Sequence, residues 1–219
     1  MSGPDAMSQS VARPEIIRLF PTFVWKSRVD GTTHAAVRRS VLDTRSSFRT
    51  GVADPSPGEV WQSRHGLHTL LELAPLVLAI RESVGQVLAF LRIGSREFEV
   101  TGLWCNIAAP GGSVRMHSHP NNFLSGVYYV QVQPGADTIN FHDPRPQTAI
   151  IRPPATELTA YNTDQVVVQV EEGTLLVFPA WLTHSVDANR SDRMRISMSF
   201  NAMFSDYAKS MGQPLWGEP

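Results

Sequence analysis

The feature that most constrains the fold is a change in sequence texture after residue 97. From there to about residue 203, short runs rich in β-branched and aromatic residues alternate with clusters of Gly, Pro, Asn and Asp. Runs of this kind, separated by turn residues, are typical of a β-sandwich or a closed β-barrel. The predicted strands cover residues 98–107, 113–119, 124–133, 138–142, 166–170, 174–178 and 194–201.

The preceding part of the chain has apolar residues at helical spacing. One stripe predicts a helix over 35–45 with Thr33 as its cap, and the segment 65–93 predicts two helices that separate near Pro75. Residues 1–15 show no periodicity and are expected to be a flexible terminus. We therefore expect a mainly β (α+β) domain over 16–219, with helical support over about 33–93 outside a β-barrel core over about 97–203.

Composition excludes several classes of partner. The formal net charge of −1 gives no electrostatic reason to expect nucleic acid or an anionic membrane as a partner. The longest apolar run, 73–80, is shorter than the roughly 20 residues that span a bilayer.

The single cysteine, Cys105, excludes an intramolecular disulfide, and the first fifteen residues lack the apolar core of a signal peptide, so a cytoplasmic location is expected. An oligomer is compatible with the sequence.

A pair of histidines indicates a metal site. His117 and His119 would point to the same side of an extended strand, and Pro120 favours extended backbone at His119. Two imidazoles on one face can bind one metal ion, although an isolated pair is more often two surface histidines. A barrel can bring a third, His184, to the same mouth, because it follows a buried strand and a turn.

Three histidine ligands that leave other coordination positions of the ion open suit a catalytic iron(II) or zinc ion. The usual non-haem iron site has two histidines and one carboxylate, so Asp143 is the alternative third ligand.

The last predicted strand has a polar face that includes Arg195, Ser197 and Ser199. This face is either solvated or lines a pocket in which Arg195 binds a carboxylate, with Arg193 as the substitute. Tyr129 would reach the same carboxylate or serve only in packing. Asn106 either lines the pocket or makes a hydrogen bond within the sheet.

The residues in this order resemble the 2-oxoglutarate/Fe(II) oxygenases related to prolyl hydroxylases, over nearly the whole chain from about residue 18 to 201. The resemblance lies in Leu19-Phe20-Pro21-Thr22-x-Val24-Trp25, His117-x-His119-Pro120, Ser125-Gly126-Val127-Tyr128-Tyr129, Asp143-Pro144-Arg145, Phe178-Pro179-x-x-x-His184 and Arg195-Ile196-Ser197-x-Ser199-Phe200-Asn201. The chain departs from the family at His119, where a carboxylate ligand normally falls. The His-x-His pair, followed by a Gly-x5-Pro segment and a final histidine, also resembles the cupins.

The resemblance implies a double-stranded β-helix (jelly-roll) barrel and an enzyme that couples C–H hydroxylation to decarboxylation of 2-oxoglutarate. It implies Fe(II) at His117 and His184, and 2-oxoglutarate held by Arg195 and Tyr129; His119 as third ligand rests on the strand geometry. O2 and a small-molecule or peptide substrate would complete the reaction. The alternatives are a cupin-type three-histidine metalloenzyme, either a dioxygenase or an isomerase, that does not use 2-oxoglutarate, and a non-enzymatic barrel that binds a small ligand.

Overall fold

Two antiparallel sheets form the body of the protein. The computed structural model describes residues 13–48, 54–94, 97–145, 150–151 and 154–210; most of the predicted flexible terminus, residues 1–12, lies outside them. The strands are β1 Trp25–Arg28, β2 Val60–Gln62, β3 Phe98–Ala108, β4 Val114–His117, β5 Leu124–Gln131, β6 Thr138–His142, β7 Gln165–Gln169, β8 Thr174–Pro179, β9 His184–Val186 and β10 Arg195–Phe204. The larger sheet has the order β1-β8-β5-β10-β3-β2 and the smaller β4-β9-β6-β7. This is the predicted double-stranded β-helix.

The central strands of the larger sheet, β5, β8 and β10, are buried on both faces, because helices cover one face and the smaller sheet covers the other. Strand β10 shows how the sequence achieves this. Its Ile196, Met198 and Phe200 pack into the core shared with the helices, whereas Arg195, Ser197 and Ser199 line a pocket between the sheets. The alternation of side chains along a strand therefore separates the hydrophobic core from the site.

In the described part of the chain the barrel is accompanied by the helices α1 Gly31–Phe48, α2 Ala74–Phe90 and α3 Ser205–Ser210. The predicted cap of α1 was wrong by three residues. The Asp30 carboxylate accepts hydrogen bonds from the backbone N–H groups of Thr32 and Thr33, both at 3.0 Å, so Asp30 holds the helix start. Hydrogen bonds from the Thr33 side chain and from its backbone N–H hold the pKa of Asp30 below its ordinary value.

The break near Pro75 is confirmed, but only its C-terminal side is an α-helix. Pro75 lies in the first turn of α2, where the lack of an N–H costs nothing. The segment before it forms two short 3₁₀ turns, Leu67–Thr69 and Leu71–Leu73, instead of the predicted helix.

Helix α2 belongs to a longer apolar segment than the run 73–80 considered from the sequence. By length and composition alone, Leu71–Phe90 would suffice to cross a membrane. One side of this helix packs into the core through Leu76, Ile80, Val84, Val87 and Leu88. Core packing therefore accounts for part of its hydropathy.

Two strands differ from the sequence prediction near the site. Strand β2 was not predicted, because three residues are too few to show a period. Strand β4 ends at His117 rather than at 119, and its pairing with β9 shifts register between Val114 and His117. His119 lies beyond the strand, where its N–H donates to the Ala180 carbonyl at 2.8 Å.

The absence of a side chain at Gly126 is required by the packing of the larger sheet. A Cβ there would overlap the Phe200 ring and the Leu176 carbonyl oxygen, and the carbonyl belongs to the paired strand. We expect Gly126→Ala to destabilise the protein by about 1–3 kcal/mol, seen as a lower Tm. Gly102→Ala is the matched control, since its nearest neighbour would be a Trp104 ring carbon at 3.6 Å. Equal losses of Tm in both variants would contradict this packing.

Candidate active site

Three histidines converge where the smaller sheet begins. His117 and His184 occupy directly paired positions on β4 and β9, and their ring centroids are 4.3 Å apart. The Nε2 atoms of His119 and His184 are 3.3 Å apart. One ring nitrogen from each of the three lies within 4.8 Å of the others. The structure thus brings together the three residues that the sequence indicated.

The ring orientations suit a cation. His184 Nδ1 lies 2.9 Å from the Leu182 carbonyl oxygen and His117 Nδ1 lies 2.8 Å from that of Arg115. A carbonyl only accepts, so each Nδ1 carries the proton and each Nε2 presents a lone pair. Backbone carbonyls hold metal-binding imidazoles in this way. Two cis ligands at about 2.1 Å from an ion lie roughly 3 Å apart, close to the separation of His119 and His184.

His119 and His184 are held in their neutral form. Burial, together with the neighbouring His184, His117 and His65, lowers the pKa of His119 to about 4. Burial also lowers the pKa of His184 to about 4. Both rings are therefore unprotonated near pH 7, as metal ligands must be.

The alternative ligand, Asp143, is engaged elsewhere. Its carboxylate accepts hydrogen bonds from Arg145, including a Nη2–Oδ2 contact of 2.7 Å. These bonds hold its pKa below the ordinary value. Asp143 lines a surface groove beside residues 16–22 and not the pocket of the histidines.

The deep part of the same pocket contains a buried cation and a buried phenol. Arg195 is 5% exposed, and its guanidinium carbon lies 5.3 Å from the centre of the Tyr129 ring. Arg195 Nε and the Tyr129 hydroxyl are both buried, and neither has a hydrogen-bond partner among the residues that the structure describes. Burial raises the pKa of Tyr129, against the opposing effect of Arg195, so the phenol stays protonated. The substitute candidate, Arg193, is exposed.

The two orphaned polar groups fit a carboxylate. Buried N–H and O–H groups normally have hydrogen-bond partners, so two neighbouring buried groups that lack them indicate a binding place for a ligand. A guanidinium beside a hydroxyl is suited to an oxyanion.

A polar wall faces the histidines from the other sheet. Gln62 Nε2 donates to Asn106 Oδ1 and Asn106 Nδ2 donates to Ser199 Oγ, each at 2.9 Å. Asn106 therefore does both things that the sequence left open: it lines the pocket and makes hydrogen bonds across the sheet. Sequence reasoning missed Gln62, because strand β2 carried no recognisable pattern.

An aromatic stack continues this wall on the side of His119. The Trp104 and His65 rings are stacked with centroids 4.4 Å apart, and Trp104 lies 5.7 Å from the His119 ring. Trp104 is almost fully buried whereas His65 is exposed. The stack was not predicted as part of the site, since an isolated tryptophan in a strand is normally a core residue.

The fold and this constellation define a class: an open three-histidine metal centre in a double-stranded β-helix. Residues 102–201, which carry the histidines, Tyr129 and Arg195, match the family model described as "Putative 2OG-Fe(II) oxygenase". Over these residues the chain is thus similar to the 2-oxoglutarate/Fe(II)-dependent oxygenases, a family of enzymes. A search of curated proteins found no significant match.

Solved structures share the fold at low sequence identity. The α-ketoglutarate-dependent carbocyclase SnoK from nogalamycin biosynthesis matches with a TM-score of 0.63 at 16% identity, over 90% of both chains. A Pseudomonas putida prolyl-4-hydroxylase matches with a TM-score of 0.56 at 14% identity, over 84% of this chain and 93% of the other. HygX from Streptomyces hygroscopicus, solved with nickel, 2-oxoglutarate and hygromycin B bound, gives 0.56 at 12% identity, over 84% of each chain.

The lowered histidine pKa values predict acid sensitivity of the metal-free protein. A histidine whose pKa falls from 6.5 in the unfolded chain to about 4 in the fold binds fewer protons when folded. Stability is then complete above pH 6.5 and is lost as the pH falls towards 4. We expect the Tm, measured in a chelator, to fall over this range, and His119→Gln to flatten the profile. A variant profile parallel to that of the wild type would contradict the assignment.

Substitution of one proposed metal ligand can be compared with substitution of another histidine in the same sheet. His184→Ala is expected to weaken cobalt(II) binding by more than roughly 100-fold, because loss of a ligand lowers metal affinity more than loss of a group that supports a ligand. His142→Ala serves as control, since His142 on β6 contacts Ser185 and stands outside the three-histidine group. Absorption titration of the metal-free protein measures both. Equal weakening by the two substitutions would argue against the site.

Proposed function

We propose that this oxygenase holds iron(II) through His117, His119 and His184, binds 2-oxoglutarate through Arg195 and Tyr129, and hydroxylates a C–H bond of a small organic molecule. One observation carries the proposal. A group of metal-binding imidazoles and a buried guanidinium–phenol pair without partners lie in the same pocket.

The protein supplies positions and the cofactors supply the chemistry. Iron(II) together with 2-oxoglutarate supplies activation of O2, in which the keto acid is decarboxylated to succinate and CO2 and one oxygen atom is inserted into substrate. The three histidines would hold the ion, and a site with three protein ligands would leave positions for the keto acid and O2.

Residues of this chain orient the keto acid and exclude water. Arg195 pairs with the carboxylate far from the metal, and the protonated Tyr129 hydroxyl donates to the same group. The apolar side chains of Val127, Ile139 and Val186 line the space between that anchor and the histidines. Their effect is to keep water from a reactive centre.

The pocket wall favours an uncharged polar substrate near the metal. Apart from Arg195 and the histidines, the described residues that line the pocket have neutral side chains, and Gln62, Asn106, Ser197 and Ser199 are polar, as is Tyr129. Amides and hydroxyls recognise hydroxyl, ether or amide groups by hydrogen bonds. HygX, which was solved with hygromycin B, supports a small molecule as the substrate of this fold.

A second candidate is a three-histidine metalloenzyme that does not use 2-oxoglutarate. Its support is His119, which stands where the family has a carboxylate. Arg195 and Tyr129 favour the first candidate, because a metalloenzyme without an acidic cosubstrate has no use for a buried guanidinium at the end of its pocket.

Binding of 2-oxoglutarate distinguishes the two candidates. The iron(II) protein should develop a weak visible charge-transfer band when 2-oxoglutarate is added without O2. Arg195→Ala should weaken that binding by about 10- to 150-fold, since a charged hydrogen bond contributes roughly 1.5–3 kcal/mol. Arg193→Ala is the control, because Arg193 is exposed and lies two residues before the same strand. Absence of the band, with the metal bound, would favour the second candidate.

A further inference from the structure

The pocket lacks any anionic side chain among the residues that the structure describes. Its lining contains the three histidines, Arg195 and twelve uncharged residues. Asp143, the carboxylate considered from the sequence, is paired with Arg145 outside this pocket. The side of the barrel that binds the metal therefore has imidazole nitrogens where the family normally has one carboxylate.

Because the pocket lining lacks negative charge, binding of the metal ion without a second ligand is unfavourable. A divalent ion on three neutral imidazoles keeps its full charge, and the buried Arg195 adds a further positive charge to the same cavity. Charges of like sign in a partly buried space repel more strongly than in water. A carboxylate ligand would offset this repulsion in part, and His119 offsets none of it.

2-Oxoglutarate can neutralise the excess positive charge of the metal ion and Arg195. It is a dianion: one carboxylate binds the metal together with the keto oxygen, and the other reaches Arg195. Its two charges therefore meet both positive centres of the pocket.

Resting on the function proposed above, we propose that metal and 2-oxoglutarate bind to this protein as a strongly coupled pair, in which the cosubstrate provides the negative charge that His119 leaves out. Each partner raises the affinity of the other by the same factor, as linkage requires. The protein binds iron more weakly when 2-oxoglutarate is absent, so the supply of the keto acid regulates loading of the site.

Arg195 has opposite effects in the two states. Without 2-oxoglutarate it repels the metal, so Arg195→Met is expected to strengthen iron(II) binding. With 2-oxoglutarate the same substitution removes the anchor of the dianion and reduces the coupling. If Arg195 had only a structural role, its substitution would not strengthen iron(II) binding in the absence of 2-oxoglutarate.

The test compares wild type with an isosteric pair at position 119. Iron(II) affinity is measured anaerobically by competition with a chelating dye, with and without saturating 2-oxoglutarate, and the ratio is the coupling factor. We expect a factor above roughly 10 for the wild type, within the usual range of about 5- to 150-fold for linked sites. His119→Glu should bind iron(II) more tightly alone and show a coupling factor at least about fivefold smaller, whereas the equally sized but neutral His119→Gln should keep a factor near that of the wild type.

The outcomes separate this inference from the proposed function. Equal coupling factors in wild type, His119→Glu and His119→Gln would overturn it, as would weaker iron(II) binding by Arg195→Met without 2-oxoglutarate. If the position 119 variants do not fold, the Arg195→Met comparison decides alone. If 2-oxoglutarate neither binds to the iron(II) protein nor produces the charge-transfer band, the proposed function itself fails.

Discussion

The pairing of β4 with β9 is the constraint on which the site depends. It places His117 opposite His184 on neighbouring strands, although 66 residues separate them in the chain. The hydrogen bond from the His119 N–H to the Ala180 carbonyl then ties the end of β4 to the turn before β9. Because both contacts are made by the backbone, they hold the three imidazoles together before any ion binds, and they avoid the entropy of assembling the ligands one by one.

The alternation of side chains across the larger sheet allows one strand to serve both core and site. Tyr128 and Tyr129 show this on β5. The Tyr128 hydroxyl lies 2.6 Å from His34 Nδ1 and so connects the sheet to helix α1, whereas Tyr129 faces the opposite side and lines the pocket. The helices therefore do more than cover apolar surface: they bury the outer face of the sheet that carries Arg195 on its inner face, and this burial keeps the position of Arg195 fixed.

The sequence predicted the parts that depend on period and spacing. The alternation on β10 separated Arg195 from the core residues, and the buried strand and turn before His184 placed that residue at the start of β9, as the structure has it. The features that it missed depend on tertiary contacts. Strand β2, with Gln62, has three residues and is defined only by its partner β3. The end of β4 at His117 and the cap at Asp30 follow from local hydrogen bonds that several nearby polar residues could have made equally well.

In the proposed site three imidazoles, without a carboxylate, hold one ion in the barrel. The decisive experiment is anomalous diffraction from a crystal loaded anaerobically with iron(II) and 2-oxoglutarate. We expect one iron peak within about 2.3 Å of the Nε2 atoms of His117, His119 and His184, with the keto acid between that peak and Arg195. An iron peak that has an aspartate or glutamate oxygen in its coordination sphere, or one away from these histidines, would contradict it.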